Sequence, residues 1–218
     1  MITTHLTGSK NLPGVWLKKM CRNHPTHHLS PFFDALSFLK SVTWSKIFNV
    51  LFLSANYLFS TLFKKVYVTG SPSTVTIEPT TLCNLKCPEC PSGNGKLRRR
   101  KGHMDMKIYE ETLSQIDQTT LWLLLYFQGE PFLHPEIVSM IQKAEEKRLY
   151  TILSTNGHFL DEANCKKILD SGLNRIIISL DGTHAETYNK YRKNGDFNKV
   201  MDGIKTLTQL KKRSNCHK

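Results

Sequence analysis

Three cysteines crowd into the stretch "TLCNLKCPECPSG" (81–93): Cys83, Cys87 and Cys90, spaced C-x3-C-x2-C. Thiolates at this spacing close around one metal centre if the loop curls to turn the sulfurs inward. Soft sulfur donors select zinc, copper(I) or an iron–sulfur cluster. A structural zinc needs a closed set of four ligands, and the nearest further donor is His103, thirteen residues beyond Cys90. A [4Fe–4S] cluster held by three cysteines instead leaves one iron open to another ligand. Disulfide pairing is disfavoured. Six cysteines in 218 residues are too few for a disulfide scaffold, and the start "MITTHLTGSKNLPG" lacks a charged segment followed by an apolar run. These features point to a reducing, cytoplasmic compartment.

Three further polar motifs follow at intervals: "QGEP" (128–131), "STNG" (154–157) and "SLDG" (179–182). Taken singly, each is ordinary turn chemistry. What positions them matters more. Strand-like runs stand at 74–80, 121–127, 149–155 and 174–180, so the cysteines and the three motifs each follow one strand. Helix-like segments alternate with these strands. Asp105 is a candidate cap for "MDMKIYEETLSQIDQ", and Pro135 suits the first turn of a helix with Ile137, Met140, Ile141 and Ala144 on one face. Gly172 marks a helix stop, "THAE" (183–186) has capping-box spacing, and Val200, Ile204, Leu207 and Leu210 outline a last helix. Alternation of this kind gives an α/β fold with parallel strands and right-handed crossovers. Ligands then gather at the carboxyl ends of the strands, where all four motifs fall.

The pattern C-N-L-K-C-P-E-C, followed in order by "YFQGEP", "STNG" and "SLDGTHAETYNKYR", resembles the radical S-adenosylmethionine (SAM) enzymes. The resemblance covers residues 74–213 and is closest to the branch that carries a C-terminal SPASM domain. It implies a [4Fe–4S] cluster on Cys83, Cys87 and Cys90, with S-adenosylmethionine chelating the fourth iron through its amino and carboxylate groups. It implies reductive cleavage of the sulfonium bond to a 5′-deoxyadenosyl radical that abstracts hydrogen from a substrate. Residue by residue, it sets Glu130 against the S-adenosylmethionine ammonium, with Gly129 letting the backbone approach. Ser179 and Arg192 match the pair that holds its carboxylate, Asn156 meets the ribose or methionine part, and Asp181 orders the site. No residue is assigned to the hydrogen-abstraction step. An electron donor such as flavodoxin or ferredoxin is implied, and SPASM-associated relatives make a peptide or protein the leading substrate class.

This sequence departs from the family pattern in three places. Glu89 stands before the third cysteine, where the family often has an aromatic residue, and Gln128 replaces the first of two glycines. The family core has six βα units, whereas four are legible in this chain. The expected fold is therefore a partial (β/α)6 barrel over residues 73–218, the N-terminal two-thirds of such a core, with one sheet edge unpaired. The alternative to an enzyme is a truncated, non-catalytic remnant that binds a cluster or zinc.

Residues 1–72 read as a separate, basic and aromatic-rich helical extension. They hold eight Lys or Arg against Asp34 alone, and a second basic run, "GKLRRRKG" (95–102), follows the cysteines. Basic runs attract anions, but no aromatic residues alternate with these arginines as in a nucleic-acid groove, so no nucleic acid is expected. No charged side chain occurs from Ile47 to Phe63, yet the run holds Asn49, Ser54, Asn56, Ser60 and Thr61. Amphipathic helices packed on the domain are the leading reading, with membrane-surface contact second and a true span third. Cys165 reads as a packed apolar side chain and Cys216 as a free thiol, while Cys21 with His24, His27 and His28 reads first as a polar loop and second as a metal site.

Overall fold

A computed structural model describes residues 2–5 and 30–217, and the side chains over 34–214. Cys21, His24, His27, His28 and the side chain of Cys216 lie outside the described residues.

The α/β expectation holds. Four parallel strands, β2 (Thr74–Thr76), β3 (Trp122–Leu124), β4 (Tyr150–Thr155) and β5 (Arg175–Ile178), lie side by side in chain order. Trp122 pairs with Tyr150, and Ile152 with Arg175. Except at β4, which runs to Thr155, the strands stop short of the apolar runs that announce them, and the final residues leave the ladder to build the rim above it. A fifth strand, β1 (Ile2–His5), runs antiparallel along β5. Two expectations are corrected by it. The N-terminal extension is not wholly helical, and the β5 edge is paired rather than open.

Helices α3 (Met106–Ile116), α4 (Ile137–Glu146), α5 (Glu162–Asp170), α6 (Ala185–Tyr191) and α7 (Phe197–His217) follow the parallel strands. Asp105 caps α3 by accepting from Lys107 N at 2.8 Å, and Asp161 caps α5 by accepting from Asn164 N. Pro135 falls just before α4 instead of inside its first turn. The capping box at 183–186 does not form. Thr183 bonds the His184 ring, Glu186 pairs with Lys190, and His184 stands at the cap with no side-chain bond to the helix. Leu123, Leu125, Leu153, Ile176 and Ile178 are fully buried with Tyr109, Met140, Cys165 and Val200 in one core. Each such aliphatic side chain contributes about 1.5–3 kcal/mol through burial.

Two helices precede β2: α1 (Ser30–Ser41) and α2 (Trp44–Phe63). Ties from both helices reach the amino ends of the strands. Asp34 pairs with Arg175 at 2.8 Å and accepts from the Tyr150 hydroxyl. Ser37 accepts from Asn174, and Phe38 stacks on Trp122 with ring centroids 5.4 Å apart. Lys46 Nζ donates to the Arg148 carbonyl, and Asn49 Nδ2 to those of Ser71 and Thr119. These helices therefore cap the bottom of the sheet and leave the carboxyl-end rim free.

Candidate cofactor site

The cysteine loop leaves the end of β2 and is pinned at its neck. Thr81 N donates to Gly102 O, Gly102 N to Thr81 Oγ1, and Met104 N to Pro79 O. Inside the loop, Cys90 N donates to Cys87 O, and Asn94 ties back to Cys90 and Pro88. Gly93 packs so closely that a Cβ there would lie 2.7 Å from Cys87 N. The loop is thus a tight cage rather than a flexible tail. Its three thiols are free, Cys87 buried and the other two partly exposed. Burial pushes the Cys83 and Cys87 thiols up, and Arg192 opposes the rise at Cys87 with Nη1 3.9 Å from its sulfur. Such thiols become thiolates when a metal supplies the compensating positive charge.

The second motif closes over this loop. Gly129 has φ +54, and a Cβ there would lie 2.1 Å from Thr80 O, so only glycine fits. Glu130 N donates to Leu82 O at 2.7 Å. The Glu130 carboxyl is 1% exposed and accepts from Thr155 Oγ1 at 2.7 Å, Asn156 N at 2.8 Å and Phe132 N at 3.2 Å. Burial pushes it up to about 7 despite these donors. This carboxyl therefore clamps the second motif to the third and forms part of the pocket wall.

The third motif carries Asn156, whose orientation is fixed by an imidazole. Asp196 N donates to His158 Nε2 at 2.8 Å, so the neutral ring keeps its proton on Nδ1 and donates it to Asn156 Oδ1 at 3.0 Å. Burial holds His158 below its usual value, which favours this neutral form. The Asn156 amide is thereby turned so that Nδ2 donates to Asn84 Oδ1 at 2.8 Å and stands 3.9 Å from Cys83 Sγ. On the fourth strand end, Ser179 N donates to Thr155 O, and the Ser179 and Ser154 hydroxyls lie 3.4 Å apart. Arg192 Nε donates to Asp181 at 2.5 Å, and Lys86 N donates to Lys193 O, drawing the cysteine loop against the Arg192 turn.

These parts enclose an open cleft of about 200 Å³ lined by Cys83, Cys87, Cys90, Gly129, Glu130, Asn156, Ser179 and Arg192, with Tyr126, Phe127 and Tyr191 as aromatic wall. Asp181 stands behind it, holding Arg192. Among the described residues, no three His, Cys, Asp or Glu side chains sit close enough to grip one metal ion. His103, the proposed fourth zinc donor, packs edge-on against His134 and does not line the cleft. The donor set is three soft thiols around a space far larger than one ion, and this fits a cluster with a further ligand better than zinc.

The sequence reading missed Thr155, Asn84, His158 and the aromatic wall. The "ST" of "STNG" carried a signal for Thr155, since a hydroxyl there reaches the preceding strand end. His158 had none, because its partner Asp196 is 38 residues away.

Residues 77–217 match the sequence profile of the Radical SAM superfamily. The chain belongs to that superfamily. Its cofactors are accordingly a [4Fe–4S] cluster and S-adenosylmethionine. Among curated relatives, it is 33% identical over 148 residues to a probable GTP 3′,8-cyclase of Methanocaldococcus jannaschii, covering 62% of this chain and 47% of that one. It is 29% identical over 116 residues to the PqqA peptide cyclase of Rhodopseudomonas palustris, covering 53% of this chain and 30% of the relative. The radical SAM chain thus spans about half or less of these relatives' length. Its fold matches that of Streptococcus suis SuiB, solved bound to precursor peptide SuiA, with a TM-score of 0.54 at 18% identity over 72% of this chain and 34% of that one.

Proposed function

We propose that this chain binds the cluster through Cys83, Cys87 and Cys90, binds S-adenosylmethionine across the rim, and initiates hydrogen abstraction from a peptide or protein substrate. The observation that carries the reading is the convergence of three free thiols, Gly129, Asn156, Ser179 and Arg192 on one cleft. Residues 73–218 act as the catalytic core and 1–72 as an appendage at its base. When bound, the cofactor pair supplies one-electron cleavage of the sulfonium bond; the chain's own residues supply placement and shielding.

Each role has a physical reason. Arg192, oriented by Asp181, offers a guanidinium fork to a carboxylate, and the Ser179 hydroxyl adds a donor beside it. Glu130 lines the cleft beside Gly129, where a bound ammonium would draw its carboxyl to the ionised form, while its three protein donors hold the wall's shape. Asn156, preset by His158, presents its amide N–H groups to the ribose or methionine part. Tyr126, Phe127 and Tyr191 give one side of the cleft an apolar, aromatic wall against which a bound ligand could pack.

A peptide or protein substrate accords with relatives named as a PqqA peptide cyclase and a mycofactocin maturase. The electron comes from a flavodoxin or ferredoxin in the cytoplasm. The test is anaerobic reconstitution with iron and sulfide analysis, followed by a 5′-deoxyadenosine assay with dithionite. Four irons per chain and 5′-deoxyadenosine formation are expected. A cluster that forms without any 5′-deoxyadenosine overturns the enzymatic reading and leaves a binding remnant.

A further inference from the structure

Helix α2 presents its faces in inverted order. The stripe turned toward the rest of the chain is the polar one: Lys46, Asn49, Asn56 and Ser60. Lys46 is 1% exposed and donates to Arg148 O at 2.7 Å. Beyond Asn49 the partner is the chain's own return. After Lys64, a left-handed cap with φ 50, the backbone runs back along the helix. Ser60 Oγ accepts from Tyr67 N at 3.0 Å, Asn56 Nδ2 donates to Thr69 O at 2.6 Å, and Asn49 Oδ1 accepts from Ser71 N at 2.9 Å. Ser54 and Thr61 donate to carbonyls one turn back, those of Val50 and Tyr57. The five polar residues that weighed against lipid contact are therefore all satisfied within the arm or at its base.

What remains outward is apolar. Phe48, Leu51, Phe52, Leu58, Leu62 and Phe63 are each more than half exposed, and Val66 and Val68 continue the surface on the return. A 20-residue helix is about 30 Å long, so this face is far larger than the patches a soluble monomer normally leaves open. No Asp or Glu occurs between Asp34 and Glu78, whereas Lys40, Lys64 and Lys65 are exposed along that stretch. Trp44 and Tyr57, both exposed, are the amphipathic aromatics that prefer a water–lipid boundary.

We propose that the arm formed by α2 and residues 64–72 lies in the interfacial layer of an anionic phospholipid bilayer, apolar faces toward the acyl chains and Lys64 and Lys65 on the headgroups. Charge complementarity selects this occupant. A second copy would bring the same cationic, acid-free arm against itself. A span is disfavoured because Lys46 and Asn49 lock the first turns to the domain and the uncharged run is 17 residues against the roughly 20 a span needs. The inference stands independently of the reading at the cofactor cleft.

The test is flotation of the full chain with vesicles of phosphatidylcholine alone or with added phosphatidylserine. Binding to the anionic vesicles is expected, and it weakens as salt rises. Lys64→Ser with Lys65→Ser should lower partitioning about tenfold or more on anionic vesicles, and Leu58→Glu with Leu62→Glu should abolish it. Far-UV circular dichroism checks that the apolar-face variant folds, and the lysine variant keeps the test decisive if it does not. No wild-type binding at low salt overturns the proposal. So does binding that both variants retain, or a lipid-independent dimer that the apolar-face variant dissolves while vesicles fail to bind.

Discussion

The two ends of the sheet use polar residues in opposite ways. At the carboxyl end, Glu130, Thr155, Asn156 and His158 bond to one another and the first three line a cleft, so their order shapes an inner surface. At the amino end, Lys46, Asn49, Asn56 and Ser60 bond inward to backbone, and their order releases an apolar outer surface. Similar numbers of hydrogen bonds thus yield a chemical pocket at one end and an adhesive arm at the other. The difference lies in where the remaining side chains point, since hydrogen bonding at either end satisfies groups that burial would otherwise penalise.

If the two ends are independent, damage to one leaves the other intact. The largest effect is expected from Cys83→Ala, Cys87→Ala or Cys90→Ala. Each should lose cluster iron and all 5′-deoxyadenosine formation while vesicle flotation is unchanged. Next comes Gly129→Ala, where a Cβ 2.1 Å from Thr80 O forces the rim apart. Urea unfolding should show a loss of about 3 kcal/mol, and S-adenosylmethionine binding should fail.

Glu130 tests the rim through pH. Its folded value is raised from 4.5 to about 7, so the folded chain holds an extra proton between those values. Stability from this group is fully present below the unfolded value and is lost as pH rises through about 7, on the order of 3 kcal/mol in all. Glu130→Gln should flatten that slope in urea titrations of the cofactor-free chain. At the other end, Asn49→Ala removes bonds to Ser71 and Thr119 and should cost about 1–3 kcal/mol. It should loosen the arm, seen as faster hydrogen exchange over 64–73, with iron content unaffected. Smallest is Lys166→Ala, which breaks an exposed pair with Glu162 and should leave the urea unfolding midpoint unchanged.

The rim was legible because its residues follow strands, and strand ends are announced by apolar runs closing on Gly, Asn or Asp. Cys83, Glu130, Asn156 and Ser179 could be assigned to one side from that alone. The Glu130 clamp was not legible, because a carboxyl that faces a ligand and one that braces its wall have the same sequence. The arm was half legible. The apolar run was plain, but only the return of residues 66–71 shows that Asn56 and Ser60 are consumed by backbone, which inverts their meaning. Strand β1 left no signal, since "ITTH" is too short to declare itself before its partner is known.

That strand has a consequence for how the sheet can grow. A row of amide and carbonyl groups along β5 accepts one neighbour, and Ile2–His5 occupies it by pairing with Ile178 through Arg175. Any other strand pairing directly with β5 on this side would have to displace β1. The β5 edge therefore behaves as a berth with an incumbent, and residues 2–5 govern access to it.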